Sequence, residues 1–107
     1  MTTDTLTNRT YRLLRRVPKG KVTTYKALAN ALHTKAYRAI GQIMKSNPYA
    51  PEVPCHRVVA SDGTIGGFMG KTKGAAIQKK IAMLQKEGVN IRRNKIQEFS
   101  SVYWSDW

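Results

Sequence analysis

Three of the four prolines, Pro48, Pro51 and Pro54, fall in the run Ser46-Asn47-Pro48-Tyr49-Ala50-Pro51-Glu52-Val53-Pro54. Each proline fixes its own φ, lacks an amide donor and pushes the preceding residue towards extended backbone. The run therefore cannot be regular helix. It is a stiff loop, and it delivers the chain into Cys55, so that this thiol is placed rather than left to float. Cys55 is the only cysteine and is followed by His56, one of two histidines with His33. A thiol beside an imidazole is the smallest unit from which a nucleophile can be built, because the thiolate is the reactive form and a nearby base makes it available. The bland alternative is a buried, inert cysteine, and adjacency in sequence does not put two side chains on one face.

Charge narrows the partners. The 107 residues carry 19 Lys and Arg against 6 Asp and Glu, a formal +13. No acid occurs between Asp4 and Glu52, whereas Arg9, Arg12, Arg15, Arg16, Lys19, Lys21, Lys26, Lys35, Arg38 and Lys45 all fall there. An excess of this size points to a polyanion, with nucleic acid as the default; a basic solvated surface without a partner is the alternative. The length suits one domain. One cysteine excludes an internal disulfide framework, and one Cys with two His is too few for a structural zinc site, so no metal is expected. No stretch approaches a membrane span, and the start Met1-Thr2-Thr3-Asp4-Thr5 lacks an apolar run. A free thiol then suits a reducing compartment, and a cytoplasmic location is expected.

Periodicity predicts a helix over 6–16, with Leu6, Tyr11 or Leu13, Leu14 and Val17 on one face, capped by Thr7 or Asn8 and broken at Pro18-Lys19-Gly20-Lys21. Val22-Thr23 is a short extended connection. Thr23 or Thr24 caps a helix from Tyr25 to Leu32; His33-Thr34 turns; a second helix runs over 35–45 with Ile40, Ile43 and Met44 inward. Two short basic helices with a brief turn suggest a helix-turn-helix over about 24–45. Ala36, Ala39 and Gly41 leave one face of the second helix nearly bare, either for close approach to a groove or for close helix packing. Val58-Val59-Ala60 and Ile65–Gly70 read as extended pieces around an Asp62-Gly63 turn, across which Arg57 and Asp62 can pair. A further helix, 75–87, has Ile77, Ile81 and Leu84 on one face and stops at Gly88. Glu87 sits at the unfavourable end of that helix for a carboxylate, which hints at another partner holding it. The tail forms a hairpin turning at Arg93-Asn94, then Phe99, Tyr103, Trp104 and Trp107, read as a docked core segment rather than a binding platform. The expected fold is mostly α with a small β component, a single winged-helix-like helix-turn-helix domain.

At Pro54-Cys55-His56-Arg57-Val58 the chain resembles the catalytic domain of O6-alkylguanine-DNA alkyltransferases, the methylated-DNA–protein-cysteine methyltransferases. The resemblance runs in order through Val17–Tyr25, Ala36-Tyr37-Arg38-Ala39-Ile40-Gly41, Asn47-Pro48, the cysteine motif, Ser61-Asp62-Gly63, Gly66-Gly67-Phe68 and Leu84–Gly88. It implies a family core over 6–88, with 89–107 as a hairpin and aromatic tail, and without the N-terminal domain that family members usually carry.

The resemblance implies repair of guanine alkylated at O6 by transfer of the alkyl group to Cys55, once and with no cofactor. His56 would act as base through a water, Glu87 would orient the imidazole, and Asn47 would brace the turn carrying Cys55. It implies double-stranded DNA as the partner, bound through the minor groove by the second helix, with Ala36, Ala39, Gly41 and Lys45 on the DNA side. Arg38 would enter the stack as the damaged nucleotide swings out. Thr24 would sit at the backbone and Tyr25 at the base, where Tyr25 is also the candidate proton donor. Met44, Cys55, Val58, Ile65, Gly66, Phe68 and Met69 would complete the pocket. A monomer is expected, with several copies on one DNA possible, at the nucleoid or in the nucleus according to cell type. Phe68 and Met69 depart from what often occurs at those places, which implies a tighter, more apolar pocket favouring methyl over bulky groups. The alternative is a lesion sensor that binds without transferring.

Overall fold

The structure, a computed structural model, describes residues 5–68 and 71–107. Helix α1 spans Leu6–Leu14, and its cap is Thr5, whose Oγ1 accepts from the Asn8 amide, rather than Thr7 or Asn8. It buries Thr10 and Leu14, and Arg9 and Tyr11 tie it to its neighbours. Arg9 Nη2 donates to the Leu32 carbonyl at 2.9 Å, and the Tyr11 hydroxyl donates to the Ile43 carbonyl at 2.9 Å. Thus α1 braces the ends of the two helices that follow.

Strand β1, Thr23–Thr24, runs directly into helix α2, Tyr25–Ala31. Thr24 serves both elements: it pairs in the sheet, and its Oγ1 accepts from the Ala27 amide as the α2 cap. Helix α3, Tyr37–Lys45, starts two residues later than periodicity predicts, because Thr34 Oγ1 takes the Ala36 amide and holds the preceding turn open. It buries Ile40 and Met44, with Ile43 only half-buried. His33 adopts a positive φ of 55° in the turn between α2 and α3, which together make the helix-turn-helix.

After the proline loop, Cys55–Arg57 form a single 3-10 turn, and β2, Val58–Val59, pairs in parallel with β1 in the register Thr23 to Val58 and Thr24 to Val59. Val22-Thr23 is thus more than a connection: the parallel pairing sets the nucleophile turn beside the start of α2. The piece 65–68 forms no strand, although its start is held by the hairpin. Helix α4, Ala75–Lys86, ends with Glu87 as its C-cap and Gly88 at a φ of 94°. The tail hairpin turns as expected at Arg93 and Asn94, both at positive φ, between β3, Ile91–Arg92, and β4, Lys95–Ile96. Asn94 accepts from the Ile65 amide and Gly63 from the Ile96 amide, so the hairpin props the segment that leads into the site. Helix α5, Phe99–Val102, and the end of the chain close over β1, with the Trp104 amide donating to the Val22 carbonyl. Phe99 and Trp107 pack half-buried against the core, while Tyr103 is exposed. Among the described residues no helix is long and apolar enough to cross a membrane.

The core gathers Leu14, Val22, Leu28, Ile40, Val53, Val58, Val59, Ile65, Ile77 and Leu84 from α1 to α4, β2 and the segments between them. Buried apolar surface supplies the main stabilisation, at roughly 25 cal/mol per Å². Cys55 and Phe68 sit at the rim of this core.

Candidate active site

The proline loop holds Cys55 by backbone geometry. Asn47 Nδ2 donates to the Val53 carbonyl at 2.8 Å, and its Oδ1 accepts from the Tyr49 amide at 2.9 Å, which cross-braces the loop two residues before the cysteine. The Cys55 amide donates to the Val53 carbonyl at 2.9 Å. Cys55 is 7% exposed and opens onto a cleft of about 450 Å³. Tyr25 lines it from α2; Tyr37, Arg38, Gly41, Met44 and Lys45 from α3; Gly67, Phe68, Lys71 and Thr72 from the opposite wall.

His56 is 2% exposed and lies behind the cysteine rather than in the cleft. Its Nε2 is 3.0 Å from Glu87 Oε2. Burial disfavours the imidazolium and lowers the His56 pKa below its ordinary 6.5, although Glu87 pulls the other way. Burial alone would raise the Glu87 carboxyl, but hydrogen bonds from Arg57 and His56 outweigh it and hold it below its ordinary value. The site therefore keeps a neutral imidazole beside an ionised carboxylate.

Arg57 does not pair with Asp62 across the turn. Its Nε donates to Glu87 Oε1 at 2.9 Å, its Nη2 to Oε2 at 2.6 Å, and its Nη1 to the Val17 carbonyl at 2.9 Å. Asp62 instead accepts from the Thr64 amide and hydroxyl. The forked guanidinium matches the carboxylate edge, and the exposed Asp62 offers no comparable burial. Glu87 is thus the shared partner of both residues that follow the cysteine.

Tyr25 lies across the cleft floor, its hydroxyl donating to the Gly67 carbonyl at 3.1 Å. Burial, and then the nearby Cys55 charge, raise its pKa above 10.0, so the phenol keeps its proton. Gly66, at a φ of 72°, lets the wall approach: a Cβ there would meet the Ala60 nitrogen at 3.3 Å and Tyr25 Cε2 at 3.4 Å. Val58 and Ile65 are buried behind the cleft, and Thr24 is buried with its hydroxyl committed to the α2 cap. Ala36 at the N-cap of α3, and Arg38, Ala39 and Lys45 on it, are exposed, and a Cβ on Gly41 would meet nothing within 4 Å. The bare face is therefore not demanded by helix packing within the chain. Met69, expected in the pocket, lies outside the described residues.

One residue escaped the sequence reading. Lys80 of α4 is fully buried, and its Nζ donates to three carbonyls: Val58 at 2.8 Å, Ile65 at 2.5 Å and Gly67 at 2.9 Å. Burial pushes its pKa down to about 7, with Cys55 acting against that. A signal was present, because Ile77, Lys80 and Leu84 are spaced i, i+3 and i+7, which puts this lysine on the apolar face.

The comparisons with known proteins agree with this architecture. The methylated-DNA–protein-cysteine methyltransferase of Sulfolobus acidocaldarius is 42% identical over 83 residues, covering 78% of this chain and 49% of that protein. The O6-methylguanine-DNA methyltransferase of the hyperthermophilic archaeon Pyrococcus kodakaraensis superposes with a TM-score of 0.68 at 43% identity, covering 81% of this chain and 48% of the other. S. pombe Atl1, in complex with damaged DNA containing O6-carboxymethylguanine, superposes with a TM-score of 0.79 at 29% identity, covering 97% of this chain and 98% of that one. The chain spans about half the length of the two methyltransferases it matches. The family model of the DNA-binding domain of 6-O-methylguanine DNA methyltransferase matches residues 5–89, and the chain belongs to that family.

Proposed function

We propose that this chain repairs O6-alkylguanine in duplex DNA by accepting the alkyl group on Cys55, once per molecule and without a cofactor. The observation that carries the proposal is the position of Cys55 at the floor of a cleft whose one wall is α3 and whose buried side holds the His56–Glu87 pair. An exposed basic helix selects the polyanion, the cleft receives the extruded nucleotide, and the thiol lies where the nucleotide would end.

The chemistry follows from the groups present. The thiol proton passes to neutral His56 through a water. Sγ then attacks the alkyl carbon in line with its bond to O6; the S–C bond forms as the C–O6 bond breaks. The electron pair leaves with guanine O6, and Tyr25, which keeps its proton, donates to the departing base. The product thioether is neutral and stable, so the protein is consumed. Arg38 fills the gap left in the stack.

The test is to incubate the protein with duplex DNA carrying O6-methylguanine and weigh it. Methyl on Cys55 is expected, and Cys55→Ser should abolish the gain while keeping DNA affinity. A second reading, lesion binding without transfer, is favoured by one observation: near end-to-end superposition on S. pombe Atl1 bound to damaged DNA. Tight lesion binding with unchanged mass would decide for it.

A further inference from the structure

Lys80 is not part of the alkyl transfer described above, yet among the described residues it is the largest fully buried side chain. Desolvating a lysine is costly unless its three donors are taken up. Here all three have carbonyl acceptors, and these belong to segments that define the cleft. Val58 follows the Cys55–Arg57 turn, and Ile65 and Gly67 belong to the wall opposite α3. That wall forms no strand within 65–67, so among the described residues the Lys80 ammonium is its direct tie to β2.

The Gly67 carbonyl also accepts from the Tyr25 hydroxyl at 3.1 Å. A carbonyl has two lone pairs, so both donors can be held together. When Tyr25 turns to an incoming base, it must leave Gly67. With Lys80 in place the carbonyl keeps a donor; without it, a part-buried acceptor would lose its protein donors, which opposes the move.

Resting on the alkyl-acceptor reading of the same cleft, the geometry points to Lys80 as a positioning residue: it fastens the 65–67 wall to the segment after Cys55, and it frees the Tyr25 hydroxyl to act on the base. It touches neither the thiol nor the substrate and works through the two carbonyl-bearing walls and Tyr25.

The experiment compares the unaltered chain with Lys80→Met, which keeps the length and removes the donors, in single-turnover methyl transfer from duplex DNA carrying O6-methylguanine. Circular dichroism and thermal melting first establish that the variant is folded at the assay temperature. The expected result is a rate constant at saturating DNA lowered on the order of 10- to 100-fold, as for a small misplacement of reacting groups, while the affinity of a Cys55→Ser background for lesion DNA changes little. Amide exchange should rise in peptides covering 60–68 and stay unchanged in α2. A rate constant at saturation equal to that of the unaltered chain overturns the proposal, as does unchanged exchange in 60–68. Should Lys80→Met not fold, selective ¹⁵N-lysine labelling of the unaltered chain replaces it. A slowly exchanging Lys80 ammonium that shifts when lesion DNA binds supports the proposal, and a freely exchanging, DNA-insensitive one overturns it. Amide exchange, lesion affinity and the lysine resonance are read whether or not the methyl group moves, so failure of the transfer reading itself is seen separately, in the mass of the unaltered chain.

Discussion

Glu87 Oε2 lies 3.0 Å from His56 Nε2, and this contact fixes which nitrogen of the ring is free. An ionised carboxylate can only accept, so Nε2 carries the hydrogen, and the lone pair of the neutral ring is at Nδ1. Burial keeps the ring neutral, and Arg57 holds the carboxylate in place from the other side. The ring therefore presents its lone pair at Nδ1 while it remains neutral.

Replacing Glu87 by Gln should remove the ionised acceptor that fixes the tautomer of the His56 ring. Transfer in single turnover should fall on the order of 100-fold, the usual scale of a misdirected general base. Thermal melting should show a loss of about 2–3 kcal/mol, since Arg57 then keeps a poorer partner. A variant that melts lower but transfers at the original rate would show that the contact is structural only.

Acid should destabilise the unaltered chain in two steps. The folded-state pKa of His56 lies below 6.5, so the unfolded chain binds more protons there and stability declines as pH falls below 6.5. The folded-state pKa of Glu87 is also depressed; its contribution is present above 4.5 and is lost as pH falls through the folded value. Melting temperature should therefore fall as pH drops below 6.5, with a further fall that begins near 4.5 and is absent in Glu87→Gln. Methyl transfer should hold to lower pH than an ordinary imidazole base would allow, because burial lowers the His56 pKa.

The bare face of α3 gives a clean separation of stability from binding. Gly41 lies mid-helix and a Cβ there meets nothing. Gly41→Ala should stabilise the chain by about 0.5–1 kcal/mol. Gly41→Leu should fold equally well but hold the helix away from a groove, weakening duplex affinity on the order of tenfold, or about 1.4 kcal/mol. Equal affinity for the leucine variant would move the DNA away from this face.

For Arg38→Ala, transfer from duplex should slow about tenfold more than transfer from single strands, because only a duplex leaves a gap to fill. Affinity of the unaltered chain should decline linearly in log–log terms with salt, as expected for phosphate contacts released by cations. Equal slowing on both substrates would remove the stack-filling role.

Much of this was legible locally. The Pro54-Cys55-His56-Arg57 run, the basic helix pair and the Arg93-Asn94 turn declare themselves because their signals lie within a few residues. Long-range pairings did not. Val22-Thr23 looked like a connection, yet Thr23 and Thr24 pair with Val58 and Val59, and two residues are too few to show a strand period. Arg57 had an acid five residues away in Asp62, but its partner is Glu87, thirty residues on, because α4 packs against the cysteine turn and partly buries that pair. Lys80 stands beside Lys79 in the sequence and drew no reading of its own. Only its helical phase with Ile77 and Leu84 marked it, and only the fold supplied the three carbonyls that make its burial tolerable.

The most direct test of the central claim is the intact mass of the chain after incubation with duplex DNA containing O6-methylguanine, followed by peptide mapping. The expected result is the replacement of one thiol hydrogen by one methyl, located on Cys55, with the amount of modified protein limited by the amount of lesion. An unmodified Cys55 in protein that has bound the lesion tightly would contradict it.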